Sequence, residues 1–253
     1  MRKFQLTNNI LLIDLLMNKT NDLSHNIELA NKYSANYLYP GYDIYFIHGW
    51  FYSYILSISE NSDDLWFPDY LVLDEDKITD NKLFTKFIDN LLLIYTTLVN
   101  NAFEKNLPIS VLVDVNNINV TIVNLSVIEQ SNLLNWLYGY LSGWLVTWND
   151  GLDQYFKDHK NLEDKFYQDM FYLTGAFILL DNQLKPQLSE MILSDYNDLK
   201  LDLFDIWDLK EPEIIQEFKK LNLNNDSFDI LNGVSNSLNS LFQIMRIIDE
   251  KNL

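Results

Sequence analysis

A hydrophobic seam that advances by three and four residues runs through the C-terminal end of the chain. Leu231, Val234, Leu238, Leu241, Met245 and Ile248 follow one another at intervals of 3, 4, 3, 4 and 3. An α-helix turns once every ~3.6 residues, so this spacing lines one face of a helix and no face of a strand. It predicts a helix from about Ser227 to Lys251. The seam spans fewer than three heptads, too short for a free-standing coiled coil, so it suits packing inside the fold or a modest homodimer contact. Phe84, Phe87, Leu91, Tyr95, Leu98 and Ala102 form a second stripe. They predict a long amphipathic helix over Asn81 to Lys105, with Asp89, Asn90 and Thr97 elsewhere on the wheel.

Punctuation agrees with a helical fold. Only seven glycines and five prolines interrupt 253 residues, too few for an all-β design that must turn often. Asp43, after the breaker Pro40-Gly41, is placed to cap an apolar helix from Ile44 to Ser59. Pro68 fits the first turn of a short helix, and Pro212 opens another that runs to about Leu221. Lys160 to Asn182 reads as a helix stopped by Asn182 and Pro186. Leu133 to Trp148 is the most apolar stretch, but it contains Asn135 and is shorter than the ~20 residues of a bilayer span. It predicts a buried helix.

One segment dissents. Ile109 to Leu125 is rich in Val and Ile around Asn116-Asn117, which reads locally as two short strands and a turn. Strand preference yields readily to context, so hairpin and helix both stand there. Lys105 and Lys157 bound a long interval without Lys or Arg, the place where two helical lobes would meet. The expected architecture is all-α: one domain over 1–253, a two-lobed multi-helix bundle with sub-lobes 1–107 and 126–253. Segment 108–125 joins them, as a short β-hairpin near 109–125 or without one.

Composition removes several functions. With 48% hydrophobic residues the chain can build a large core and is poorly described as disordered. Its 36 acidic and 18 basic side chains leave a formal charge of −18. That argues against direct binding of nucleic acid, a contact built on Lys and Arg neutralising phosphates. Zero cysteines exclude a disulfide scaffold, a thiol nucleophile and Cys-ligated metal. Met1-Arg2-Lys3 precedes an apolar run, Ile10 to Met17, that is short and contains Asp14. An amphipathic helix fits it better than a secretory signal. The expectation is a soluble cytoplasmic protein without a membrane partner.

Two aromatic segments stand out together. His48-Gly49-Trp50-Phe51-Tyr52 is followed by Trp66-Phe67-Pro68, and later comes Trp136-Leu137-Tyr138-Gly139-Tyr140-Leu141-Ser142-Gly143-Trp144. In order and separation these segments resemble the YecA/YgfB-like family of bacterial proteins, over about Leu23 to Phe156. The resemblance implies an all-helical fold and says little of function, since the family's biochemical role is mostly unassigned. Two departures matter. Some members end in a cysteine-rich zinc tail, which this chain cannot build, and members often carry Cys where Leu137 stands here.

Gly139 and Gly143 lie four apart, on one helix face, where they would admit a neighbouring backbone, and Gly49 could do the same beside Trp50. Close helix contact is the favoured reading over a small-molecule pocket. His48 could act as a general base or ligand. It has no partner at catalytic spacing, so a hydrogen-bonded histidine that orients its helix fits better. No nucleophile elbow, phosphate loop or zinc-protease motif occurs. The calcium-loop beginnings at Asp74-Glu75-Asp76 and Asp195-Tyr196-Asn197 lack the required Gly and place Ile78 and Leu199 where oxygen is needed. No metal or cofactor is expected.

Carboxylates carry the remaining signal. Asp195, Asp198, Asp202 and Asp205 step by 3, 4 and 3, one acidic side of a helix whose Leu199, Leu203 and Ile206 should face the core. A second acidic patch runs from Glu60 to Asp80. Both serve solubility, or dock a basic partner. The leading expectation is a non-enzymatic acidic adaptor or regulatory protein that binds another protein. The competing one is an enzyme or small-molecule binder with a site between the lobes, lined by His48, Trp50, Tyr52, Trp136 and Tyr140. A closed pocket with convergent polar groups would favour the second; packed aromatics would oppose it.

Overall fold

The computed structural model describes residues 23–56, 67, 72–103, 126–147, 156, 157, 159–188, 190–222 and 230–252. Most of them lie in eight α-helices: α1 (Leu23–Ser34), α2 (Ile44–Leu56), α3 (Asn81–Phe103), α4 (Val127–Thr147), α5 (Lys160–Leu184), α6 (Glu190–Trp207), α7 (Glu211–Asn222) and α8 (Ile230–Asn252). The fold is all-α. An isolated antiparallel bridge between Leu38 and Leu73 ties the α1–α2 link to the segment before α3. The expected hairpin at 109–125, Trp66, Pro68 and the run Ile10 to Met17 lie outside the described residues.

Helix starts follow capping chemistry. The Asp43 carboxylate accepts the backbone N–H groups of Tyr45 and Phe46 at 2.9 and 3.0 Å and opens α2. Asp80 does the same for Lys82 and Leu83 at α3, so one member of the second acidic patch is a cap. At α4, Ser126 and Glu129 form a reciprocal capping box, with bonds of 2.7 and 3.3 Å. Each such side chain satisfies N–H groups that the first helical turn cannot. Pro186 lies in the short 3₁₀ turn after α5. Asp208, at φ 49°, takes the left-handed conformation that ends α6, a geometry Asp tolerates better than most residues.

Periodicity explains which faces are buried. Val234, Leu238, Leu241 and Met245 of the C-terminal seam are all in the core, where α8 packs chiefly on α5. In α3 the buried row is Phe87, Leu91, Ile94 and Leu98. Thr97 is buried too, its hydroxyl returned to the Leu93 carbonyl at 2.7 Å. Helix α2 has no polar face: ten residues from Ile44 to Leu56 are buried, the signature of a central helix. It packs most closely on α4, and also meets α1, α3 and α8; α4 in turn meets α5 and α6. One contiguous core runs from Ile27 to Met245.

The expected inward row of α6 needs one correction. Leu199 and Leu203 are buried, but Ile206 is 43% exposed. In that last turn Trp207 takes the inward place, packing edge-on against Tyr167 and Phe171 and donating its indole N–H to Thr174 Oγ1 at 3.2 Å. The same helix sends Lys200 inward, where its ammonium meets Asp181 Oδ2 of α5 at 2.6 Å, with side chains 6% and 0% exposed. Removing one partner of such a pair strands a desolvated charge, whereas replacing both with apolar groups does not. Lys200→Met should therefore cost about 3–5 kcal/mol in urea unfolding, and the double variant Lys200→Met/Asp181→Leu should recover most of that loss.

Candidate functional site

The two aromatic motifs meet face to face. Their glycines remove side-chain bulk where α2 crosses α4. A Cβ placed on Gly49 would stand 2.0 Å from the Trp136 carbonyl oxygen, and one on Gly139 would stand 1.9 Å from the Phe46 carbonyl oxygen. At Gly143 it would stand 2.9 Å from Ser53 Cβ. The first two contacts are backbone against side chain position in both directions, so neither helix can yield without separating the pair. His48, Gly49 and Trp50 are thus brought against Trp136, Gly139 and Gly143.

Around that contact the rings interlock. Trp136 stacks on Tyr140 with centroids 5.4 Å apart and an interplanar angle of 12°. Tyr52 meets Trp136 edge-on at 5.4 Å, and His48 meets Tyr52 at 5.1 Å. Trp50, Trp136 and Tyr140 are all 0% exposed. The Trp136 indole N–H donates to His48 Nδ1 at 3.1 Å, which leaves the imidazole proton on Nε2. Burial holds the imidazole neutral, its pKa lowered to about 3. His48 is thereby a fixed acceptor between the helices.

A second polar link, which sequence reasoning did not single out, joins three helices. Asn135 of α4 donates its amide to Asp43 Oδ2 at 2.6 Å and accepts the Tyr196 hydroxyl of α6. Burial raises the pKa of Asp43, against the lowering effect of the Phe46 and Tyr45 N–H groups and Asn135. Burial also raises Tyr196, with Asp43 adding to the effect. Asn135 in an otherwise apolar run was the available signal.

The four aspartates of α6 are not equivalent. Asp198, Asp202 and Asp205 are exposed, while Asp195 is partly buried beside the Tyr42 hydroxyl. Its pKa is raised by burial and then by Asp198, with Tyr42 acting the other way. Leu201, 60% exposed, and Ile206 flank the three outward carboxylates.

The surroundings of Tyr52 offer little space. The crevice between Tyr52, Ile55, Leu56 and Leu98 has no room for a water molecule. Among the described residues no group of three or more His, Asp or Glu side chains is placed to hold a metal ion. Also among them, no helix is long and apolar enough to cross a membrane. Comparison with protein-family models, with curated proteins and with solved structures finds no match to this chain.

Two measurements check this geometry. Interior Gly→Ala changes ordinarily stabilise a helix by about 1 kcal/mol, but Gly139→Ala should destabilise the protein by about 1–3 kcal/mol, because the overpacked contact must open. The pH dependence has a definite sign. A histidine lowered to about 3 in the folded chain titrates near 6.5 when unfolded. Its contribution is complete above the unfolded value and is lost as pH falls from there toward the folded value, by about 1.4 kcal/mol per pH unit. Stability curves from pH 7 to pH 4 should therefore be shallower for His48→Gln than for the natural chain.

Proposed function

We propose that this is a non-enzymatic adaptor or regulatory protein of the YecA/YgfB-like type, acting in the cytoplasm, that docks a basic segment of another protein on the outer face of α6. The observation that carries this reading is the composition of that face: exposed Asp198, Asp202 and Asp205 between exposed Leu201 and Ile206. Carboxylates kept in a solubilising surface need no aliphatic neighbours. A surface that also shows leucine and isoleucine matches a basic amphipathic segment, whose cations would be steered in by charge and whose apolar side would then be buried. Asp195, turned toward Tyr42, belongs to the fold more than to the docking face.

The competing reading, an enzyme or small-molecule binder near His48, requires a cavity with convergent groups. The rings of Tyr52, Trp136 and Tyr140 pack against one another there, which favours the adaptor.

Affinity capture from native lysate at two salt concentrations tests the proposal. Recovery of a basic partner should fall at least tenfold between low and physiological salt, as expected for charge-steered docking. The triple variant Asp198→Asn/Asp202→Asn/Asp205→Asn should lose that partner even at low salt. Asp195→Asn should retain it. Capture that is indifferent to both salt and the triple variant would end the docking assignment.

A further inference from the structure

One side of α3 changes character halfway along. Thr85, Asp89, Leu92, Thr96 and Val99 step by 4, 3, 4 and 3, so they follow one another along a single side of the helix. Thr85 and Asp89 are exposed, whereas Leu92, Thr96 and Val99 are partly buried. The Thr96 hydroxyl is returned to the Leu92 carbonyl at 2.8 Å, which leaves its methyl group to that side. After Asp89 the helix holds no charged residue, where a solvent-facing side would keep them. Yet among the described residues only α1 and α2 pack extensively on α3. The row that enters the core, Phe87, Leu91, Ile94 and Leu98, lies on the other side of the wheel.

We propose that this outer side of α3 is the docking surface for segment 4–18 of the same chain, laid along it as a helix. The segment lies outside the described residues. Its sequence supplies a matching face: Leu6, Ile10, Ile13 and Met17 step by 4, 3 and 4, while Thr7, Asp14 and Asn18 fall off that row. The path of α1 leads there. Tyr37, three residues past the end of α1, packs on Phe84 and Phe87 near the start of α3, with ring centroids 5.4 Å away in each case. Helix α1 has 12 residues, a length of about 18 Å, and less than one turn of α3 precedes Phe84. Packed along α3, α1 therefore runs back toward its second half, and Leu23 starts near the level of Thr96 and Val99. The link then sets the direction. Only Lys19 to Asp22 separate the segment from α1, and connections that short make consecutive helices antiparallel neighbours. Antiparallel to α1 is parallel to α3, which sets Met17 beside Val99, Ile13 beside Thr96 and Ile10 beside Leu92. The stretch that follows α2 is a poor occupant, because Glu60, Asp63 and Asp64 would strand their charges on an apolar face.

The chain contains no cysteine, so engineered pairs report position without a background. In the full chain, Ile13→Cys/Thr96→Cys should close an intramolecular disulfide in a glutathione buffer about tenfold more readily than Val113→Cys/Thr96→Cys, because docking raises the effective concentration of one thiol at the other. The second pair probes the apolar segment that follows α3. Failure of the first pair to close overturns the proposal. So does preferential closure of the second, which gives the surface to that other segment, or disulfides only between chains, which give it to a second copy. A matched pair of lysines tests the cover itself. Thr85 and Thr96 each return the hydroxyl to the carbonyl four residues back, both at 2.8 Å, so Thr→Lys removes the same local bond at either place. In urea unfolding, Thr96→Lys should lower the folding equilibrium constant about tenfold relative to Thr85→Lys, since it sets a charge into an apolar contact. Equal constants in the two variants also overturn the proposal.

Discussion

Two carbonyl oxygens standing where side chains would otherwise be set the distance between α2 and α4. The Trp136 carbonyl occupies the space beside Gly49, and the Phe46 carbonyl the space beside Gly139. The arrangement is reciprocal: each helix supplies the gap that the other's backbone fills. Its energetic sense is visible in magnitudes. An interior glycine costs a helix about 1 kcal/mol. Each aromatic ring drawn into the contact buries ~150–250 Å², worth several kcal/mol at ~25 cal/mol per Å². Trp50, Tyr52, Trp136 and Tyr140 are all buried there, so close approach prevails over helix propensity.

From that spacing the polar links follow. The Trp136 indole reaches His48 only if the two helix axes are near. At the start of α2 the cap residue Asp43 comes within reach of Asn135, which passes the connection to Tyr196 on α6. A ring-packed contact without polar bonds could slide by a turn. Fixed donors and acceptors at both ends hold one register, since every slipped arrangement would leave a buried Asp or His without its partner.

Much of this was legible in the sequence, and the exceptions share a cause. The rows in α3 and α8, the Asp43 cap and the bounds of the long helices rest on local spacing, which the helix itself dictates. Gly139 and Gly143 declared a contact because four-residue spacing has one geometric meaning on a helix. Ile206 misled because the same periodicity applies to Trp207 one position later, and only the neighbours on α5 decide which enters the core. Asp195 was indistinguishable from Asp198, Asp202 and Asp205 by spacing; Tyr42, from another element, separates it. Asn135 looked like an interruption of an apolar run, and Asp181 and Lys200 gave no signal by spacing. Asn135 meets partners 92 and 61 residues away, and Asp181 and Lys200 meet each other across 19 residues from different helices, and no local pattern encodes such pairings.

The Lys200–Asp181 pair lies on the side of α6 opposite its acidic surface. Lys200 is the only basic residue in α6, whose sequence holds four aspartates at helical spacing. It stands two residues from Asp198 and Asp202 and five from Asp205, on the other side of the helix, where no pair one turn apart can form with them. Held inside against Asp181, it leaves those carboxylates facing one another without a cation on their own helix. A lysine held in the core and a row of carboxylates outside are thus two results of one helical periodicity. Local repulsion along the row is small beside the burial of Tyr196, Leu199 and Leu203 on the inner side. The helix can thus hold a strongly negative outer face without losing its place in the fold, and its packing and its charge are carried by different residues of the same turn.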